Sequence, residues 1–116
     1  MLGRLAQAKE VDIETTRTDD ATRRTTIWVV VDGGDVLARS WRGERAHWYQ
    51  AALDRPDDVA LLIGAERVPV RVERATDVPT ITRCSEGLEA KYRGDPSTPA
   101  MVRPEVLHTT IRLVSR

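Results

Sequence analysis

The chain has 116 residues, which fits a single domain over residues 1–116, and its 18 lysine and arginine residues balance its 18 aspartate and glutamate residues. A formal net charge of zero argues against a protein that wraps nucleic acid through an overall basic field, although it does not exclude a local basic patch. Cys84 is the only cysteine, which excludes an internal disulfide and a thiolate metal cage. No apolar run approaches the ~18 residues of a membrane span, and residues 1–10 lack a secretory signal, so a cytoplasmic location is expected.

The first third of the chain is predicted to contain a short helix and two strands. Residues 2–9 favour the helix. Over residues 11–16, apolar or β-branched side chains alternate with polar ones, which is typical of a half-buried strand. The polar, acidic stretch 17–22 indicates a turn. Residues 25–31 are β-branched or aromatic almost throughout, so we expect one strand in the sheet interior, with Trp28 in the core.

A hairpin and a helix follow. The motif Asp32-Gly33-Gly34-Asp35 separates two β-rich runs, and a glycine pair favours a tight turn because glycine reaches positive φ at little cost. Residues 36–42 form the second arm, which Gly43 ends. Three residues share one face of this arm: Leu37, Arg39 and Trp41. Over residues 44–55 the apolar spacing becomes that of a helix, which Pro56 closes.

A second hairpin is predicted in the middle of the chain. Residues 59–63 are continuously apolar, Gly64 marks the turn, and valines alternate with polar residues over 68–72. Pro69 cannot donate a hydrogen bond to a strand ladder, so its strand is expected at a sheet edge or with a bulge.

The last third is predicted to contain a helix, a loop and a final strand. Thr76 and Asp77 are typical of an N-cap, and Pro79 suits a first helical turn. An apolar stripe indicates a helix that ends before Gly94, and its members are Val78, Ile81, Cys84, Leu88 and Tyr92. Residues 95–100 indicate a flexible loop, and residues 101–107 a turn or short helix. The final strand is predicted to turn these residues inward: Thr109, Ile111 and Leu113.

Taken together, these elements predict a mainly β or α+β fold. Six strands, mostly in hairpins, with two inserted helices and a short N-terminal helix, favour a small antiparallel barrel over a parallel arrangement.

Seven motifs along the chain carry a resemblance to a known family. They are Glu14-Thr15-Thr16-Arg17, Ile27-Trp28-Val29-Val30-Val31-Asp32-Gly33-Gly34-Asp35, Arg39-Ser40-Trp41-Arg42-Gly43, Trp48-Tyr49, Pro69-Val70-Arg71, Lys91-Tyr92 and Met101-Val102-Arg103-Pro104-Glu105-Val106-Leu107. Together they resemble an uncharacterised bacterial family among the split β-barrels, the superfamily of pyridoxamine-phosphate-oxidase-like flavin proteins and deazaflavin-dependent nitroreductases. The resemblance extends from about residue 10 to residue 113.

The resemblance implies a phosphate site where the third strand runs into the first inserted helix. In the deazaflavin-dependent relatives this junction cradles the cofactor phosphate, and Ser40, Arg42, Gly43 and Trp48-Tyr49 occupy the matching positions. A hydroxyl, a guanidinium, close backbone approach and unpaired helix amides all favour an anion. The resemblance therefore implies a flavin (FMN) or deazaflavin coenzyme, oxidoreductase activity on a small organic molecule and a homodimer. The implied cofactor-binding residues are Ser40, Trp41, Arg42, Gly43, Arg45, Trp48, Arg17 and Arg24.

Two departures from the family pattern favour an alternative function. After Arg17, the Lys, Ser and Gly of the relatives are replaced by Thr18-Asp19-Asp20-Ala21, whose two carboxylates would repel an anionic coenzyme. The amide usual after the helix start is replaced by Ala51-Ala52-Leu53. The alternative is a non-catalytic split-barrel module that has lost the cofactor and binds a partner. A third hypothesis, single-stranded nucleic acid stacking on Trp41 and Trp48, is disfavoured by the balanced charge.

The remaining residues predict no further catalytic chemistry. The sequence contains no metal-spaced histidine cluster, no nucleophilic triad and no glycine-rich phosphate loop. We interpret His47 as a surface residue, His108 as structural and Cys84 as an inert buried thiol. This inventory is compatible with redox chemistry, because a flavin-type cofactor itself performs the hydride transfer.

Overall fold

The computed structural model describes residues 2–116. The strands are β1 (Val11–Thr16), β2 (Thr22–Ile27), β3 (Val29–Asp32), β4 (Asp35–Ala38), β5 (Val59–Ile63), β6 (Glu66–Arg74) and β7 (Ile111–Ser115). The helices are α1 (Leu2–Gln7), α2 (His47–Asp54), α3 (Val78–Lys91) and α4 (Thr98–Val102), with 3-10 turns at Gly43–Arg45 and Pro104–Thr109. The chain therefore has an α+β fold, as the sequence predicts. None of the helices in residues 2–116 has the length and apolar character needed to cross a membrane.

The strands form one antiparallel half-barrel sheet in the order β2-β1-β5-β6-β7-β4-β3. Strands β2 and β3 lie at opposite edges of this order, yet only Trp28 separates them along the chain. The sheet must therefore curl until its two edges approach each other at Trp28.

The sheet has seven strands, so the predicted number of six is wrong. Residues 25–31 do not form a single strand, because the chain changes partners at Trp28. On one side of this residue β2 pairs with β1, and on the other side β3 pairs with β4. β-propensity reports that a segment is extended but not which strand it pairs with, so the break is absent from the local sequence pattern.

Two apolar clusters hold the sheet and helices together. The larger cluster contains inward-facing residues of most strands together with α1 and α2, including Ile13, Leu61 and Ile111, each fully buried. The smaller one joins α3 and α4 to β3 and β4 through Val30, Leu37, Cys84, Leu88, Tyr92 and Met101. Each fully buried large apolar side chain stabilises the fold by about 1.5–3 kcal/mol relative to an exposed one.

Helix α3 begins and packs much as the sequence predicts. The Asp77 side chain accepts hydrogen bonds from the Thr80 amide and hydroxyl, so Asp77 is the N-cap. Gly87 faces Val30 so closely that a Cβ atom at residue 87 would lie 2.3 Å from Val30 Cγ1. The inward place predicted for Val78 is wrong, since Val78 is exposed in the first turn, before the helix meets the sheet.

Other predicted boundaries shift. The arm predicted over 36–42 leaves its ladder after Ala38, and the helix predicted over 44–55 is divided by extended Ala46 into a 3-10 turn and α2. Part of the loop predicted over 95–100 belongs to α4. The edge expected for Pro69 is wrong for β6 as a whole, which lies between β5 and β7. Pro69 itself pairs only with β5, just beyond the register shared with β7.

Candidate functional site

An open groove of about 920 Å³ lies where the chain leaves β4 and enters α2. Its walls come from the edge strand β2, the junction between Arg39 and Trp48, and the segment from Asp95 to Met101. The side chains lining it include all three tryptophans and these six cationic residues: Lys9, Arg23, Arg24, Arg39, Arg42 and Arg45. Only two carboxylates, Glu10 and Asp95, line the same groove. In a chain of zero net charge, the groove therefore concentrates positive charge.

Ser40 and Gly43 shape the junction. The Ser40 hydroxyl donates to the Gly43 carbonyl oxygen at 2.8 Å, and the Ser40 amide donates to the Thr109 hydroxyl at 3.1 Å. Gly43 has φ +69°, a left-handed conformation that favours glycine. The Ser40 hydroxyl proton is therefore committed to the turn. Ser40 lines the groove, but the predicted hydroxyl donation to an anion is not what this structure shows.

Arg42 and Arg45 project at the start of α2 without acidic partners. Within residues 2–116, neither guanidinium has a carboxylate within 4.0 Å, and both line the groove. The Arg42 guanidinium lies 5.1 Å from the ring centroid of Trp41, which is 54% exposed. The N-cap of α2 is Ala46, whose side chain cannot accept a hydrogen bond, so the first amides of α2 have no side-chain cap. These cations and amides together are suited to an anion.

The other two predicted arginines are paired with acids. Arg24 lines the groove, but its Nε lies 3.7 Å from the Glu14 carboxylate, which also binds Arg67 at 2.9 Å. Arg17 does not line the groove and lies 3.4 Å from Asp19. The structure therefore does not bring Arg17 together with Arg42 and Arg45, and its cofactor contact stays a prediction. The acidic residues of the same loop, Asp19 and Asp20, do not line the groove either.

Arg23 and His47 form a pair that the sequence did not predict. Both line the groove, and Arg23 Nη1 lies 3.3 Å from His47 Nδ1. A guanidinium can only donate, so the ring nitrogen is the acceptor in this contact. The pair depends on the strand order, because β2 lies at the edge of the sheet and residues 23–28, from β2 and its end, all line the groove.

Trp28 lines the groove and also packs against the smaller apolar cluster, so the core position that the sequence predicts for it holds in part. It is half-buried, and its ring stacks on Tyr92 with centroids 3.9 Å apart and an interplanar angle of 5°. The Tyr92 hydroxyl donates to the Lys9 carbonyl oxygen at 2.7 Å, and burial raises the pKa of Tyr92 to about 12. Tyr92 therefore stays protonated and holds Trp28 in place across the neutral pH range.

Arg39 lies at the floor of the groove and is only 2% exposed. The sequence places it on the same strand face as buried Leu37, which is the signal for its burial. Burial lowers the pKa of Arg39, but an arginine starts so high that it stays charged. Nearby Cys84 is fully buried, and burial raises the pKa of its thiol, in agreement with the inert role predicted for it.

Two further observations bear on the predicted chemistry. Within residues 2–116, no group of three or more His, Cys, Asp or Glu side chains is arranged to hold a metal ion. His108 Nε2 lies 3.2 Å from the Glu44 carboxylate, a contact between two exposed side chains that connects the two 3-10 turns, and its structural role stays a prediction.

Residues 1–113 match the sequence profile of a family described as an uncharacterized protein conserved in bacteria (DUF2255). The chain belongs to this family. No curated protein matches this DUF2255 member in sequence.

Solved structures with the same fold confirm the split-barrel resemblance. A candidate pyridoxamine 5'-phosphate oxidase from Listeria innocua is 17% identical, with a TM-score of 0.71 over 99% of this chain and 90% of that one. The heme storage protein HutZ from Vibrio cholerae is 8% identical, with a TM-score of 0.74 over 98% and 86%. An F420-H2-dependent reductase is 13% identical, with a TM-score of 0.67 over 90% and 93%. The TM-scores show that the DUF2255 chain shares this fold, and at identities this low they show the fold alone.

Proposed function

We propose that the groove binds a flavin or deazaflavin nucleotide and that the protein is an oxidoreductase acting on a small organic molecule. One observation carries this proposal. Two guanidinium groups without carboxylate partners among residues 2–116 lie at the uncapped start of α2, where a groove lined by all three tryptophans opens. A cationic end beside an aromatic wall suits a ligand with a phosphate at one end and a planar ring at the other.

The phosphate end would be held by Arg42, Arg45 and the first amides of α2. The partial positive charge of a helix N-terminus attracts anions, and no capping side chain competes for these amides. Each charge-assisted hydrogen bond contributes about 1.5–3 kcal/mol. Arg24 contributes less, because Glu14 already offsets its charge.

The ring would lie among Trp28, Trp41 and Trp48, which differ in how firmly they are held. Trp28 is stacked on Tyr92, and Trp48 is buried with its ring edge-on to Tyr49 at 6.0 Å. Trp41 is exposed at the groove mouth. Fixed aromatic rings orient a planar ligand and exclude water from one side of it. A bound flavin-type cofactor supplies the hydride transfer itself.

The size of the groove is compatible with such a ligand. Small-molecule and cofactor sites occupy about 300–1,000 Å³, and this groove has about 920 Å³. The neighbours with the same fold include an F420-H2-dependent reductase and a candidate pyridoxamine 5'-phosphate oxidase, which supports a cofactor-binding split barrel. We extend the proposal to a homodimer, for which exposed Trp41 at the groove mouth is a suitable contact.

The test is titration of the purified protein with FMN and with the deazaflavin coenzyme F420, followed by tryptophan fluorescence. We expect saturable quenching by one of the two. Arg42→Ala and Arg45→Ala should each weaken binding by about ten- to a hundredfold. Arg71→Ala is the matched control, because Arg71 is exposed on β6 outside the groove, and it should leave affinity unchanged. A colourless protein that is quenched by neither compound would refute the proposal.

A second function is favoured by two observations. The Ser40 hydroxyl is committed to Gly43 and Arg24 is offset by Glu14, so two of the expected cofactor contacts are weakened. A split-barrel module that binds a partner without a cofactor would keep this fold and need neither contact. In that case Arg42→Ala would leave ligand binding unaltered, whereas Trp41→Ala would abolish self-association or partner capture.

A further inference from the structure

Arg39 is a buried cation whose partners are all neutral. Nε donates to the Thr110 hydroxyl at 2.9 Å, and Nη2 donates to the Ile81 carbonyl oxygen at 3.0 Å. Nη1 donates to the Ser85 hydroxyl at 2.9 Å and to the Met101 carbonyl oxygen at 3.0 Å. A guanidinium has five N–H groups, so one N–H on Nη2 has no acceptor among residues 2–116.

The missing counterion distinguishes Arg39 from other arginines that are held in place. Arg55, Arg67, Arg83 and Arg112 are more exposed, and each has a carboxylate within 4.0 Å. Arg39 is the buried one and has none among the described residues. A buried charge is costly unless an opposite charge or a full set of hydrogen bonds compensates it. An anion from outside the chain would complete this set.

Three side chains near Arg39 or in the groove could supply that anion, and none of them does. Cys84 lies near Arg39, but its thiol is fully buried and burial raises its pKa, so it stays neutral. The two carboxylates that line the groove, Glu10 and Asp95, form no ion pair with Arg39. Arg39 itself lines the groove beside Met101, one of its hydrogen-bond partners, although the residue is only 2% exposed.

We propose that Arg39 is the centre of a second anion subsite in the groove, separate from Arg42 and Arg45, which takes the carboxylate of a small aromatic acid. The proposal deepens the proposed function by naming the substrate class. Binding of the acid at Arg39 does not depend on the proposed function, and only its designation as a substrate rests on it. The one unpaired N–H can donate to a single anionic oxygen, such as one oxygen of a carboxylate. The tryptophans in the same groove suit an attached ring. Contacts from α3, α4 and Thr110 fix the guanidinium before any ligand binds.

The probes are benzoate and its uncharged isostere benzamide, titrated against the protein at low salt with tryptophan fluorescence as the readout. We expect the unmodified protein to bind benzoate about tenfold or more tightly than benzamide. Arg39→Gln should remove this preference, and Arg39→Lys should keep it at weaker affinity because the charge remains. Arg71→Ala should keep the preference unchanged, because Arg71 is exposed outside the groove, whereas Arg42→Ala should reduce the preference in part, through the lost charge in the groove, without removing it. Circular dichroism verifies that each variant is folded.

Three outcomes would overturn the subsite. They are equal or absent binding of the two probes to the unmodified protein, a preference that survives in Arg39→Gln, and a preference lost in Arg42→Ala. The last outcome decides the matter even if Arg39→Gln does not fold, since it assigns the anion to the groove mouth. FMN titrations of the same variants separate the two proposals. If the protein prefers benzoate over benzamide but binds neither FMN nor F420, the anion subsite at Arg39 is supported and only the cofactor proposal is refuted.

Discussion

Replacement of Gly87 by alanine tests the packing of α3 against the sheet. In this structure the new Cβ would lie 2.3 Å from Val30 Cγ1 and 3.4 Å from both Val30 Cβ and Cγ2. The first distance is far inside van der Waals contact, and the β-branched valine has few rotamers into which it can move. Helix and strand must therefore separate.

The expected cost is the difference between two opposing effects. Overpacking a core costs about 1–3 kcal/mol, and the contact here calls for the upper half of that range. Alanine gains about 1 kcal/mol over glycine inside a helix. The net loss is about 1–2 kcal/mol, which for a domain of this size lowers Tm by about 4–8 °C.

Thermal and urea denaturation measure this effect, and the chain provides a matched control. Gly3 lies in α1, where a new Cβ would meet no atom within 4 Å, so Gly3→Ala should be neutral or slightly stabilising. In a Val30→Ala background the added cost of Gly87→Ala should largely vanish, because the clashing methyl groups are gone. A Gly87→Ala protein as stable as Gly3→Ala would show that α3 does not approach β3 as closely as described.

Three further substitutions test the site and its supports. Tyr49→Phe should change stability by less than about 1 kcal/mol in urea denaturation, because the buried Tyr49 hydroxyl has the Arg74 side chain near it but no well-aligned hydrogen bond among residues 2–116, and a larger loss would reveal a full hydrogen bond. Ser40→Ala should cost about 1 kcal/mol and weaken ligand binding through the loosened Gly43 turn, and an unchanged Tm would contradict that support. The hydrogen bonds from Thr80 lower the pKa of Asp77, so its stabilisation is present above the pKa of an unfolded aspartate and is lost as pH falls through the lower, folded value. Asp77→Ala should therefore lower Tm at pH 7 and flatten its decline in acid, and a parallel pH profile would refute the cap.

The sequence predicts those parts of the fold that depend on local pattern. Strand β1 buries Val11, Ile13 and Thr15, as the alternation indicates, because a period of two directly selects the inner face of a sheet. The cap and first turn of α3 also follow from residue types that act within four positions. Burial of one face in the core stabilises β1, and hydrogen bonds between near neighbours in the sequence stabilise the start of α3.

The sequence does not predict features that depend on distant partners. The chain break at Trp28 exists because β1 and β4 each capture one part of a segment that is uniformly β-prone. The hydrogen bonds that satisfy the Arg39 guanidinium could not be predicted either, because their acceptors lie 42 to 71 positions further along the chain. By contrast, the ion pair between Arg24 and Glu14 is a local feature of the β1–β2 hairpin, because the hairpin register places Glu14 directly opposite Arg24.

Ion pairing determines which cations of the candidate site remain for a ligand. Counting arginines treats Arg24, Arg39, Arg42 and Arg45 alike, yet the structure gives Arg24 an acidic partner and shows none for the other three within the described part of the chain. Six cationic residues and two acidic ones line the groove of a chain whose total charge is zero, so the remaining surface carries the matching excess of acids. Such segregation steers anions toward the groove at low ionic strength and repels them elsewhere. Added salt should therefore weaken capture at the exposed Arg42 end more than at buried Arg39, which is screened far less.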